Sequence, residues 1–168
     1  IADMIDYKLS KESNIENVHT KEVTTEFGEF NLNVWSDVIF DEYHFSLTKG
    51  SPEKVDVPMV RVQTQSVLQD TLGIDEIGKK WSIRKSLQKI ADEGTGVFVL
   101  INHRDAKTYW LSNLKDENIE PKRNRRVIGI GSQILRAIGL NKIKVLGTPT
   151  KYSGLSGFNI EIEGFIDE

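Results

Sequence analysis

The apolar positions change their period several times along the chain, and each change predicts an element. In IADMIDYKLSKE, Ile1, Met4, Ile5 and Leu9 recur near helical spacing, which predicts a helix. Ser10 to Val18 is largely polar and reads as a linker. Strand patterns follow. FGEFNLNVWSDV alternates Phe30, Leu32 and Val34 with polar neighbours, and Asp41 to Leu47 alternates through Tyr43, Phe45 and Leu47. Val57 to Val62 is a third strand, set off by the turn signal Lys49-Gly50-Ser51-Pro52. The stretch WSIRKSLQKIADEGTG carries a helical stripe of Ile83, Leu87, Ile90 and Ala91, with Gly94 as a natural stop. Val97 to Ile101 is an unbroken apolar run and predicts a buried strand. Asn102 to Arg126 shows little periodicity. A helix is then expected from about Ile130 to Ile138, buried through Ile130, Ile134, Leu135 and Ile138 and stopped by Gly139. Lys142 to Leu146 and the alternating Phe158 to Phe165 are the closing strands. Strands first, then strand–helix–strand units, predict a mixed α/β (α+β) domain of β-sheet with flanking helices.

Composition narrows the function classes. A chain of 168 residues allows one domain with an added terminal segment. The net charge of −3 gives no global pull toward nucleic acid or acidic lipid, so neither is expected as a partner. Cysteine is absent, which excludes disulfides and thiolate metal ligands. No apolar run approaches the roughly 20 residues of a membrane span, and a cytoplasmic protein is expected. Opening at Ile1, the chain reads as a fragment or a processed product.

The stretch RRVIGIGSQILRAIGL holds two glycines, Gly129 and Gly131, just after the basic run Lys122, Arg123, Arg125 and Arg126. It is no dinucleotide fingerprint, because Ile134 stands at the third glycine position, and no G-K-[ST] follows. Helix N-termini do bind anions, so these residues leave two readings open: a phosphate cradle before a helix, or a solvated turn.

The order of segments VRVQTQ, KKWSIRKSLQKIADEGTGVFVLI, IGIGSQILRAIGLNKIKVL and GLSGFNIEIEGF resembles GTP cyclohydrolase II, which opens the guanine ring of GTP in riboflavin biosynthesis. The likeness runs from about Phe27 to Phe165 and implies a GTP cyclohydrolase II-like fold for residues 19–168. Residues 1–18 resemble the last helix and linker of a 3,4-dihydroxy-2-butanone 4-phosphate synthase domain. The resemblance therefore implies the C-terminal half of a fusion whose synthase domain precedes it.

Carried over residue by residue, the resemblance implies that the chemistry is lost. The family holds zinc on cysteines spaced C-x10-C-x-C, and those positions are Ser66, Ile77 and Lys79 here, no set of zinc ligands. His19, His44 and His103 are too scattered to replace them and read as surface or internally satisfied residues. The segment R-V-H-S-E becomes Arg61, Val62, Gln63, Thr64 and Gln65, and a substrate-contacting glutamine becomes Ser82. The phosphate loop becomes Asn102 to Lys107 without its glycines. Asn124 replaces the aspartate that takes a proton, and asparagine is no base at neutral pH. Arg61, Arg126 and Lys151 remain as matches to anion-contacting positions. Val60, Val62, Leu87, Ile90, Val97, Val99, Ile134, Leu135, Ile138 and Val145 preserve the core pattern.

The expectation is a degenerate domain with no catalytic residue, no metal and no cofactor. It would form a homodimer and serve its synthase partner structurally or as a regulator. The alternatives are nucleotide binding without turnover and altered chemistry on a phosphorylated substrate, each using Arg61, Arg126 and Lys151 as anion contacts.

Overall fold

The computed structural model describes residues 14–74, 81–102, 110–111, 114–115, 121–147 and 159–167, with residues 121–125 as backbone only. Its strands are β1 (Ile15–Thr25), β2 (Gly28–Asp37), β3 (Glu42–Lys49), β4 (Met59–Thr64), β5 (Gly96–Ile101), β6 (Lys142–Leu146) and β7 (Glu161–Ile166). Among the described residues the longer α-helices are α1 (Ile83–Glu93) and α2 (Pro121–Ile138). The strands form one seven-stranded sheet in the order β1-β2-β3-β5-β4-β6-β7. β1, β2, β3 and β5 pair antiparallel; β4 pairs parallel with β5 and β6, and β6 parallel with β7. This is the mixed architecture that the element order predicts.

A helix covers each face of the sheet. Leu87 and Ile90 of α1 pack with Phe30, Met59, Trp81, Phe98 and Leu146. Ile130, Ile134 and Leu135 of α2 pack with Trp35, Val60, Val97, Val99 and Ile101. β5 supplies both clusters, since Val97, Phe98 and Val99 are all buried. That two-sided burial is why its sequence is an apolar run without alternation. α1 stops at Gly94, as its sequence predicts, and the structure adds an N-terminal cap at Ser82. The Ser82 hydroxyl accepts from the Lys85 N–H, and Gly94 takes a left-handed φ of 84°.

Two expectations are corrected. Ile15 to Val18, the end of the expected linker Ser10 to Val18, begin β1, with Ile15 paired to Asp37 and buried in the core. The helix expected from Ile130 begins at Pro121 instead. Proline is suited to a first helical turn, and lysine and arginine are good helix formers, so the basic run is helical without an apolar stripe.

Gly129 and Gly131 thus lie within α2, not in a loop ahead of it, and their amides are no cradle for phosphate. Gly131 has a packing role. A Cβ there would come within 2.8 Å of Val62 Cγ1, so its absence lets α2 approach β4. Valine is stiff about χ1 and has little room to yield. Gly131→Leu is therefore expected to destabilise the domain by about 2 kcal/mol through overpacking. The check is a lowered urea midpoint with an unchanged denaturant slope.

Among the described residues no helix is long and apolar enough to cross a membrane.

Candidate functional site

The two arginines that match anion-contacting positions start from opposite faces of the sheet. β4 points Val60 and Val62 toward α2, so Arg61 and Gln63 project to the face that α1 covers. There Arg61 Nε donates to Gln63 Oε1 at 2.8 Å, Nη1 to the Leu146 carbonyl at 3.0 Å and Nη2 to the Trp81 carbonyl at 3.1 Å. One guanidinium thereby joins β4, the end of β6 and the residue ahead of the α1 cap. Its fork of donors is spent on fixed internal acceptors rather than turned outward.

Arg126 belongs to α2, on the other face. Its Nη1 donates to the Asn102 carbonyl at 2.9 Å, Nη2 meets the Glu42 carboxylate, and the guanidinium stacks 4.6 Å from the centre of the Phe40 ring. Asn102, the residue after β5, is also held through its side chain, which donates to the Tyr43 carbonyl. Arg126 thus ties the helix to the β2–β3 turn and to the β5 exit.

Beside it lies a pair that sequence reasoning does not assemble. Asp37 and His44 are completely buried, with His44 Nε2 at 3.1 Å from Asp37 Oδ2. The Asn102 N–H donates to His44 Nδ1 at 3.0 Å. A nitrogen that accepts carries no proton, so the ring holds its proton on Nε2 and donates it to Asp37. Asp37 Oδ1 accepts from the Ile39 and Phe40 amides at 3.0 and 3.2 Å, which shapes the turn between β2 and β3. Burial pushes the Asp37 carboxyl up, but the hydrogen bonds from His44, Phe40 and Ile39 outweigh it. They hold the group below its ordinary value of 3.8. Both ring nitrogens of His44 are satisfied inside the core, while His19 is exposed on β1. The two described histidines are thus as the sequence suggests, one satisfied and one on the surface; His103 lies outside the described residues.

Ser66, the first of the three positions that hold zinc ligands in the resembled family, is part of a local cap. Its hydroxyl accepts from the Gln69 N–H at 3.3 Å, and its own N–H donates to Asp70 Oδ2 at 3.0 Å. This reciprocal pairing opens the π-type turn Val67–Thr71 and leaves the serine buried. A neutral hydroxyl engaged in this way, with Ile77 and Lys79 as its companions in sequence, does not fit zinc. No group of three or more His, Cys, Asp or Glu able to hold a metal occurs among the described residues. Ile77, Lys79, Lys151 and the Asn124 side chain lie outside the described residues.

The pattern of the family described as GTP cyclohydrolase II matches residues 16–167, from within β1 to just past β7. The chain belongs to the GTP cyclohydrolase II family. Similar proteins carry two kinds of name. A Pseudomonas aeruginosa protein named 3,4-dihydroxy-2-butanone 4-phosphate synthase is 30% identical over 99% of this chain and 47% of its own length. The riboflavin biosynthesis protein RibBA of Cytophaga hutchinsonii is 29% identical over 96% of this chain and 44% of its own length. Among solved structures, RibBX of A. baumannii, described as a two domain 3,4-dihydroxy-2-butanone 4-phosphate synthase, superposes with a TM-score of 0.70. It is 27% identical, over 99% of this chain and 44% of its own. The chain spans about half the length of the relatives it matches. It is a GTP cyclohydrolase II-like domain of the kind found in riboflavin-biosynthesis proteins.

Proposed function

We propose that this domain has lost the GTP ring-opening chemistry of its family. Its role is then structural, dimerising or regulatory, in support of a 3,4-dihydroxy-2-butanone 4-phosphate synthase domain in the same chain, with residues 1–13 as the end of that domain. One observation supports the reading: Ser66, which the resemblance places with Ile77 and Lys79 at the zinc-ligand positions, is committed to a buried hydrogen-bonded cap. Without three ligands no metal is held in place to make a nucleophile of water near neutral pH, a contribution of several kcal/mol to the barrier. Asn124, at the position of the family's proton-accepting aspartate, offers no base.

Two further observations agree with this. Arg61 and Arg126 are engaged by internal acceptors on opposite faces of the sheet, so they do not form one anion site. Relatives that contain nearly the whole of this chain are named for the synthase activity alone.

The supporting role is tested on the full-length protein. Removing residues 14–168, which spares the proposed end of the synthase domain, is expected to lower synthase activity at least several-fold, or to change the oligomeric state in analytical ultracentrifugation. A truncated protein with unchanged turnover and unchanged mass would contradict the role.

A further inference from the structure

We infer that the part of the sheet face beyond α1, next to the β2–β3 turn, is the surface on which the synthase domain of the same chain docks. The inference rests on the fusion proposed above. Side chains alternate across a sheet, so Val34 and Ser36 of β2 share one face with their cross-strand partners Phe45 and Tyr43 of β3. Leu32 and Leu47 are the next pair on that face, and Leu47 packs into the α1 cluster, so this is the α1 side of the sheet. Among the described residues, α1 covers only its other end, over Phe30, Met59 and Phe98. Toward the turn, Val34 and Phe45 are half-buried and belong to neither cluster, and Tyr43 is 55% exposed. Val38 continues the row two residues past Ser36 and is 67% exposed. Val18, in the β1 bulge beside Val34, is 47% exposed. Single exposed apolar residues are ordinary, but a contiguous set on one sheet face marks an interaction surface.

The path of the chain selects the occupant. The Val38 N–H donates to the Asn14 carbonyl at 3.1 Å, so the chain enters the sheet at this same corner. Residues 1–13, the proposed end of the synthase domain, are therefore joined to the sheet beside the patch. A short tether holds a partner at an effective concentration on the order of millimolar, so a modest apolar contact is enough to dock it. The relatives carry about as much chain again as this domain, and RibBX of A. baumannii is a two domain protein. The surface that fits is apolar and takes the Tyr43 ring, with the phenol hydroxyl left at a wet rim.

The experiment uses the full-length protein and follows unfolding by scanning calorimetry, with small-angle scattering and analytical ultracentrifugation on the same samples. The Val38→Ser, Tyr43→Ser double variant removes the apolar surface. It leaves in place the backbone bonds of Val38 to Asn14 and of Asn102 to the Tyr43 carbonyl. Val55→Ser is the control, since Val55 is also exposed but lies beyond the opposite end of β3. The wild type and the control are expected to unfold in one coupled transition. The double variant is expected to split into two transitions and to show a larger radius of gyration at unchanged subunit number. If the double variant does not fold, Tyr43→Gln alone carries the same comparison. A folded variant that unfolds and scatters as the wild type does would overturn the inference, as would two separate transitions in the wild type. A variant that keeps one transition but loses subunits would also overturn it, by showing that a second copy covers this face. If removal of residues 14–168 impairs the synthase while the variant behaves as wild type, the supporting role stands and this surface does not carry it. The proposed loss of cyclohydrolase activity is settled separately, by turnover of GTP.

Discussion

Replacing Arg61 with methionine is expected to lower the unfolding free energy by about 3 kcal/mol. Methionine keeps most of the apolar stem and removes the donors. The Leu146 and Trp81 carbonyls and Gln63 Oε1 would each lose the hydrogen bond from Arg61 in a partly buried setting. Each such loss costs about 1–3 kcal/mol, and some of that is regained where water reaches the site. An arginine kept only as a surface anion contact would behave differently, with a change within about 0.5 kcal/mol. The difference is large enough to decide between the two roles. Urea unfolding should show a lower midpoint at the same denaturant slope, together with an unchanged response of the melting temperature to GTP.

The second large effect is expected at Asp37. Asp37→Ala leaves the His44 Nε2–H and the Ile39 and Phe40 amides without their acceptor in the core. A cost of about 3–4 kcal/mol follows from breaking a buried polar pair at one end. The same turn contains Asp41 at a positive φ of 52°, a conformation that its neighbours must hold in place. The effect also carries a pH signature. The Asp37 carboxyl is held below its ordinary value of 3.8 in the folded protein. A depressed folded value means that its contribution is fully present above the unfolded value and is lost as pH falls through the folded one. The stability gap between wild type and Asp37→Ala should therefore be constant near neutrality and narrow below about pH 4. Paired urea titrations at pH 7 and pH 3 measure it.

Much of the fold is legible in the pattern of apolar residues because burial has a period there. α1 shows its stripe and its stop at Gly94, and β5 shows an apolar run because both of its faces are covered. β1 gives no such signal. It is an edge strand with residues Glu16 to Glu22 exposed, so hydrogen bonding to β2, rather than burial, makes it a strand. The first turns of α2 are hidden for a similar reason, since lysine and arginine form helix without marking a buried face.

The candidate site is legible in part. The positions that the resemblance gives to the zinc ligands and the base are visible only as residue types, Ser66, Ile77, Lys79 and Asn124, of which isoleucine is no metal ligand. What becomes of the retained arginines is not visible. Arg61 finds acceptors 85 and 20 residues away in sequence, and Arg126 finds Glu42 at a separation of 84. Asp37 and His44 meet because the β2–β3 register pairs Asp37 with Glu42 and Trp35 with His44, which sets the two diagonally on one face. Such partners follow from strand register and helix docking, which short-range patterns do not encode.

The central claim, that this family member no longer opens the guanine ring, is tested most directly on the purified protein incubated with GTP and excess zinc. Formate release would be followed, and bound metal counted after desalting. The expected result is no formate above a protein-free control and far less than one zinc per chain. Stoichiometric zinc with sustained formate release would contradict the account.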